Sequence, residues 1–74
     1  MTRLTPLPAR RVVRALEHLG FQFERQRGSH ASYKHLDGRV ITVPLHSNRD
    51  VARGTLREII RVAHVSVDEF MDLT

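Results

Sequence analysis

The pair Asp37-Gly38 constrains the fold more than any other stretch of the chain. An Asp-Gly step between extended segments is among the strongest short-range signals for a β-hairpin, because glycine accepts the positive φ that a tight reversal needs. The residues on both sides fit that reading. Val40-Ile41-Thr42-Val43 is β-branched throughout and suits a strand, which Pro44 ends. Before the turn, residues 30–35 alternate, with Ala31, Tyr33 and His35 on one face and His30, Ser32 and Lys34 on the other. A one-residue slip would exchange those faces.

Working outward from the hairpin gives the remaining elements. Gly28-Ser29 is a second turn, and before it Phe21 and Phe23 alternate with Gln22 and Glu24, the period of a half-buried strand. Upstream, Ala9, Val12, Val13, Leu16 and Leu19 mark one face of an amphipathic helix. Thr5-Pro6-Leu7-Pro8 leads into it and Gly20 stops it. Downstream, residues 44–54 form a loop holding His46, Asn48 and Arg49. Thr55 to Glu58 has the pattern of a capping box, and Leu56, Ile59, Ile60 and Ala63 form the inner face of a second helix. Ser66 to Glu69 is a second capping box, with Val65 and Phe70 spaced to staple a short last helix. The expected architecture is α+β with the order α-β-β-β-α: a three-stranded antiparallel sheet, helices on one face, and a short C-terminal helix. The other sheet face would be bare and would carry His30, Ser32 and Lys34.

Seventy-four residues allow a single core, so one domain over 1–74 is expected. Without cysteine there is neither a disulfide framework nor a thiolate metal site, and the five histidines show no compact ligand spacing. No metal or other cofactor is expected. Apolar runs are too short for a membrane span, which points to a cytoplasmic protein without a membrane partner. The charge is uneven. Residues 1–49 hold nine basic and three acidic residues, whereas 50–74 hold three and five. All but one of the basic residues are arginine, whose planar fork of donors suits phosphate. A polyanion is therefore a candidate partner for the first two thirds, and a merely solvated basic surface is the alternative.

The segment Arg25 to Tyr33 concentrates the chemistry. His30 follows directly on the Gly28-Ser29 turn, and imidazole is the side chain that takes and gives protons near neutral pH. Arg25, Arg27 and Lys34 are near enough in sequence to neutralise a phosphate. Gly28 presents no side-chain bulk, and the amides of the Gly28-Ser29 turn can bind phosphate oxygens. These residues fit cleavage of RNA by its own 2′-hydroxyl; they equally fit an exposed histidine on a basic hairpin. His46 is a candidate second acid or base, a substrate contact, or a polar loop residue. His18 and His64 stand near helix C-termini, where positive charge is favourable.

Taken together, Gly20-Phe21, Gly28-Ser29-His30, Asp37-Gly38, Val43-Pro44-Leu45-His46, Gly54-Thr55-Leu56, Ile59-Ile60 and Val67-Asp68-Glu69-Phe70 resemble the HicA-type toxins, mRNA interferases of bacterial toxin–antitoxin pairs. The likeness spans nearly the whole chain. It implies a double-stranded-RNA-binding-domain-like fold, His30 as the single catalytic histidine, cleavage of mRNA without a metal cofactor, and a HicB-type antitoxin that binds and blocks the protein. The residues themselves make Arg25, Arg27, Gly28, Ser29, Lys34 and His46 the expected RNA contacts around that histidine. Two departures stand out. Such toxins usually carry a glycine where this chain has His64, and the N-terminal segment is unusually rich in proline. Two other functions fit the same residues: a non-catalytic RNA-binding module, and an interaction subunit whose basic surface meets an acidic antitoxin.

Overall fold

A computed structural model of the protein describes residues 3–46 and 49–74. The order is α1 (Ala9–His18), β1 (Gln22–Arg27), β2 (His30–Lys34), β3 (Val40–Pro44), α2 (Arg53–Ala63) and α3 (Val67–Leu73). The strands form one antiparallel sheet in the order β1-β2-β3. Helices α1 and α2 pack on β3, and α3 packs against both helices. This is the α+β, double-stranded-RNA-binding-domain-like arrangement expected from the sequence.

The β2–β3 hairpin fixes which face is covered. Ala31 and Tyr33 on β2 and Ile41 and Val43 on β3 are buried against the helices. From the helices, Val12, Ala15, Leu16, Leu56, Ile59, Ile60 and Ala63 close over them. His30, Lys34, Val40 and Thr42 stay exposed on the opposite face, as the alternation predicts. Burial holds the Tyr33 phenol above its ordinary titration range, and the nearby Glu17 carboxylate adds to the shift. The turn itself is longer than a bare Asp-Gly pair. The His35 carbonyl accepts from the Gly38 N–H, and the His35 N–H donates to the Arg39 carbonyl, both at 2.9 Å. Gly38 takes φ +98° to allow this.

Strand β1 departs from the half-buried pattern. Phe21 is buried, but it precedes the strand, and all six residues of β1 are exposed. Phe23 lies on the inner face opposite Tyr33, with ring centroids 5.8 Å apart, and is still 57% exposed. The reason is that β1 is an edge strand that no helix packs over closely. Its alternation is also interrupted. Phe23 pairs with Tyr33 and Arg25 with Ser32, so an extra residue, Glu24, is accommodated as a bulge.

The N-terminal segment does more than lead into α1. Leu7 forms an isolated antiparallel bridge with Val51: its N–H donates to the Val51 carbonyl at 3.2 Å, and the Val51 N–H donates back at 2.6 Å. Leu4, Leu7 and Val51 are all buried in the core. The bridge also explains why α2 starts earlier than its Thr55 capping pattern suggests. The chain leaves Val51 and turns straight into helix, with Ala52 as the N-cap and the Leu56 N–H bonded to the Ala52 carbonyl at 2.9 Å. Thr55 falls inside the first turn, and the Glu58 carboxylate engages Arg61 instead of a backbone amide. The second capping box forms as expected, with Glu69 N–H to Ser66 Oγ and Ser66 N–H to Glu69 Oε1 both at 3.1 Å.

His64 terminates α2 in the left-handed conformation, φ 61° and ψ 40°. A helix end in this conformation favours glycine, and here an L-residue accepts the strain.

Candidate nucleic-acid interface and active site

Three backbone features assemble a site on the open face of the sheet. The β1 bulge comes first. In antiparallel strands, residues directly opposite one another project from the same face. Strict alternation from Phe21 and Phe23 would send Arg25 and Arg27 inward. The bulge at Glu24 shifts the register, so that Arg25 stands opposite Ser32 and Arg27 opposite His30. Both arginines therefore share the open face with His30.

The second feature is the Gly28-Ser29 turn between β1 and β2. Gly28 adopts φ +55°, and the Gln26 side-chain amide donates to its carbonyl at 2.9 Å, which holds the reversal. His30 begins β2 immediately afterwards and is exposed. Ser29 is half-buried.

The third feature positions His46. The β2–β3 ladder pairs His30 with Pro44. It is then extended by one bond, from the Leu45 N–H to the Ser29 carbonyl at 2.5 Å. The Arg49 N–H donates to the His46 carbonyl at 3.1 Å, and the Leu7–Val51 bridge fixes the far end of the loop. His46 is thereby carried beside His30, with ring centroids 6.4 Å apart and planes at 80°. Neither ring engages a nitrogen in a hydrogen bond to another described residue. Asn48, which the sequence places in the same loop, lies outside the described residues.

His30 and His46 line a cavity of about 470 Å³ together with Thr42, Pro44, Arg49, Asp50, Val51 and Thr55. A second cavity of about 550 Å³ adjoins it, sharing His46, Arg49 and Asp50, and reaches Pro8, Ala9 and Arg10 at the start of α1. The structure thus brings together Arg25, Arg27, Gly28, Ser29, His30 and His46. Lys34 stands apart. It is four positions along β2 from His30, roughly 13 Å by strand rise, and its ammonium is 3.8 Å from the Glu24 carboxylate. Arg49, Arg10, Asp50 and Thr55 border the site without having been expected there from the sequence. For Arg49, three residues from His46 and in the basic part of the chain, charge and proximity were the available signals. Nothing local could have signalled Arg10.

Two exposed imidazoles beside arginines can transfer protons next to a bound anion. Among the described residues, no group of three or more His, Cys, Asp or Glu side chains gathers to hold a metal ion. No helix of the described residues is long and apolar enough to cross a membrane.

The sequence profile described as the HicA toxin of bacterial toxin–antitoxin systems matches residues 9–65, from the first residue of α1 to just past the His64 cap. The chain belongs to the HicA toxin family. No curated protein matches the sequence closely enough to add to this. Membership makes the chain a toxin of a toxin–antitoxin system, in a family whose members are generally ribonucleases, and so implies an antitoxin partner and an RNA target in general terms. The family match contains every residue of the open-face cluster from Arg25 to His46.

Proposed function

We propose that the chain, acting as one domain over 1–74, is an mRNA interferase that cleaves RNA by attack of its own 2′-hydroxyl, with His30 as the catalytic proton-transfer group. A HicB-type antitoxin neutralises it by binding over the same face. The observation that carries this reading is the setting of His30: exposed on the open sheet face, opposite Arg27, and lining a cavity with His46 and Arg49.

The arginines that the bulge turns outward place positive charge where the scissile phosphate would lie, which stabilises the charge that builds on it during attack. The left-handed Gly28 presents backbone without a side chain at the edge of that position. Imidazole and guanidinium groups supply proton transfer and charge neutralisation, so the reaction needs no metal cofactor. Ser29 and His46 contact the RNA near the reacting centre, and Lys34 binds it further along the strand.

Incubation of the purified chain with single-stranded RNA, with and without a chelator, tests the reading. Cleavage that survives the chelator and falls about 10²–10⁴-fold in His30→Ala is expected. RNA binding without cleavage would replace the nuclease with a non-catalytic RNA-binding module.

A further inference from the structure

We propose that His46 is the second catalytic residue, so that His30 and His46 flank the scissile phosphate as a general base and general acid. This rests on the ribonuclease reading above and deepens it, since one histidine alone leaves one of the two proton transfers without a partner.

The geometry supports a pair. In an in-line displacement, the attacking and leaving oxygens stand on opposite sides of phosphorus. Each must lie within about 2.6–3.2 Å of the group that exchanges its proton. Two imidazoles with centroids 6.4 Å apart, steeply inclined to one another, can bracket one phosphate in this way. At that separation the rings are too far apart for a direct N–H···N bond, and neither is tied up by another described residue. Both line the same cavity. The charged groups around them are Arg27 on β1, opposite His30, Arg49 and Asp50 on the loop, and Arg10 on α1 in the cavity that adjoins His46.

The step balances within the substrate and the two rings. One neutral imidazole takes the proton of the 2′-hydroxyl as that oxygen forms its bond to phosphorus. The P–O5′ bond breaks, and the other ring, as imidazolium, gives its proton to the departing O5′. The products are a 2′,3′-cyclic phosphate and a 5′-hydroxyl, and the two rings have exchanged protonation states.

The discriminating experiment uses two RNA oligonucleotides carrying the site that the wild type cuts. One is unmodified, and one has sulfur in place of the leaving 5′-oxygen, which departs without being protonated. His30→Ala and His46→Ala are each expected to lower cleavage of the unmodified RNA about 10²-fold or more. Binding of an oligonucleotide with a 2′-deoxy residue at the site should fall by a far smaller factor than cleavage does. On the sulfur substrate one variant should recover to near the wild-type rate and the other should not, which identifies the acid and the base. The wild-type rate should be bell-shaped in pH, and each variant should lose one limb. His46→Ala cutting unmodified RNA within about 3-fold of wild type would overturn the assignment. The same response of both variants to the sulfur substrate would also overturn it. Wild type that cuts no RNA, so that no such site can be found, would instead remove the ribonuclease reading.

Discussion

The Leu45 N–H donates to the Ser29 carbonyl at 2.5 Å, and each of these residues immediately precedes a histidine of the site. This backbone hydrogen bond, between segments sixteen residues apart, extends the β2–β3 ladder to the point where His46 stands beside His30. Replacing the residue-45 amide by an ester in a synthetic chain removes the donor and keeps the leucine side chain. The cost in stability should be about 1 kcal/mol, the net worth of one such bond. Cleavage should fall by a larger factor than thermal unfolding of the sample can explain. Unchanged cleavage would show that the bond does not hold the catalytic geometry.

The bulge at Glu24 makes a claim about charge. Because it turns Arg25 and Arg27 to the open face, each should contact a phosphate. Arg25→Ala and Arg27→Ala should each weaken RNA binding and lower the slope of log K against log salt by about 0.7, the value for one contact to a single strand. Lys34→Ala, already next to Glu24, should lower it less. Equal slopes in all three variants would place the RNA elsewhere on the sheet.

His64 holds φ 61° at the end of α2, a conformation that costs an L-residue about 1–2 kcal/mol. His64→Gly should raise the free energy of unfolding by up to about 1 kcal/mol, with part of the gain offset by the greater freedom of glycine in the unfolded chain. Denaturant melts should show a higher midpoint at constant slope. RNA cleavage should be unaffected, since His64 lies at the far end of α2 from the loop that carries His46. A lower midpoint would mean that the imidazole contributes more at the helix C-terminus than the strain costs.

Tyr33 links stability to alkaline pH. Its folded-state pKa is raised by burial, so above about pH 10 the unfolded chain releases the phenol proton first. Its contribution is fully present below the unfolded pKa and is lost as pH rises through the folded one. The wild type should lose up to about 1.4 kcal/mol per pH unit in that window relative to Tyr33→Phe. Parallel stability curves for the two proteins would contradict this.

What was legible in the sequence, and what was not, follows from the range of the interactions involved. Asp37-Gly38, the alternation of β2 and β3, the apolar faces of α1 and α2, and the Ser66–Glu69 box are set by neighbours within a few residues. Each was readable. The β1 bulge is invisible to a strict alternation, and the Phe21-Phe23 pattern pointed the arginines the wrong way. The Thr55–Glu58 pattern matched a capping box, but the pairing of Val51 with Leu7, forty-four positions away, started α2 earlier. The same long-range bridge put Leu4, Leu7 and Val51 into the core. His30 could be singled out from its own turn. The nearness of His46, Arg49 and Arg10 depends on how the loop is pinned to the first residues of the chain, which no local pattern encodes.

Induced expression in bacteria of the wild type beside His30→Ala, followed for growth and for RNA integrity, tests the central claim most directly. The wild type should arrest growth and degrade RNA, and His30→Ala, made in equal amount, should do neither. Arrest and RNA loss from His30→Ala equal to those of the wild type would contradict the claim.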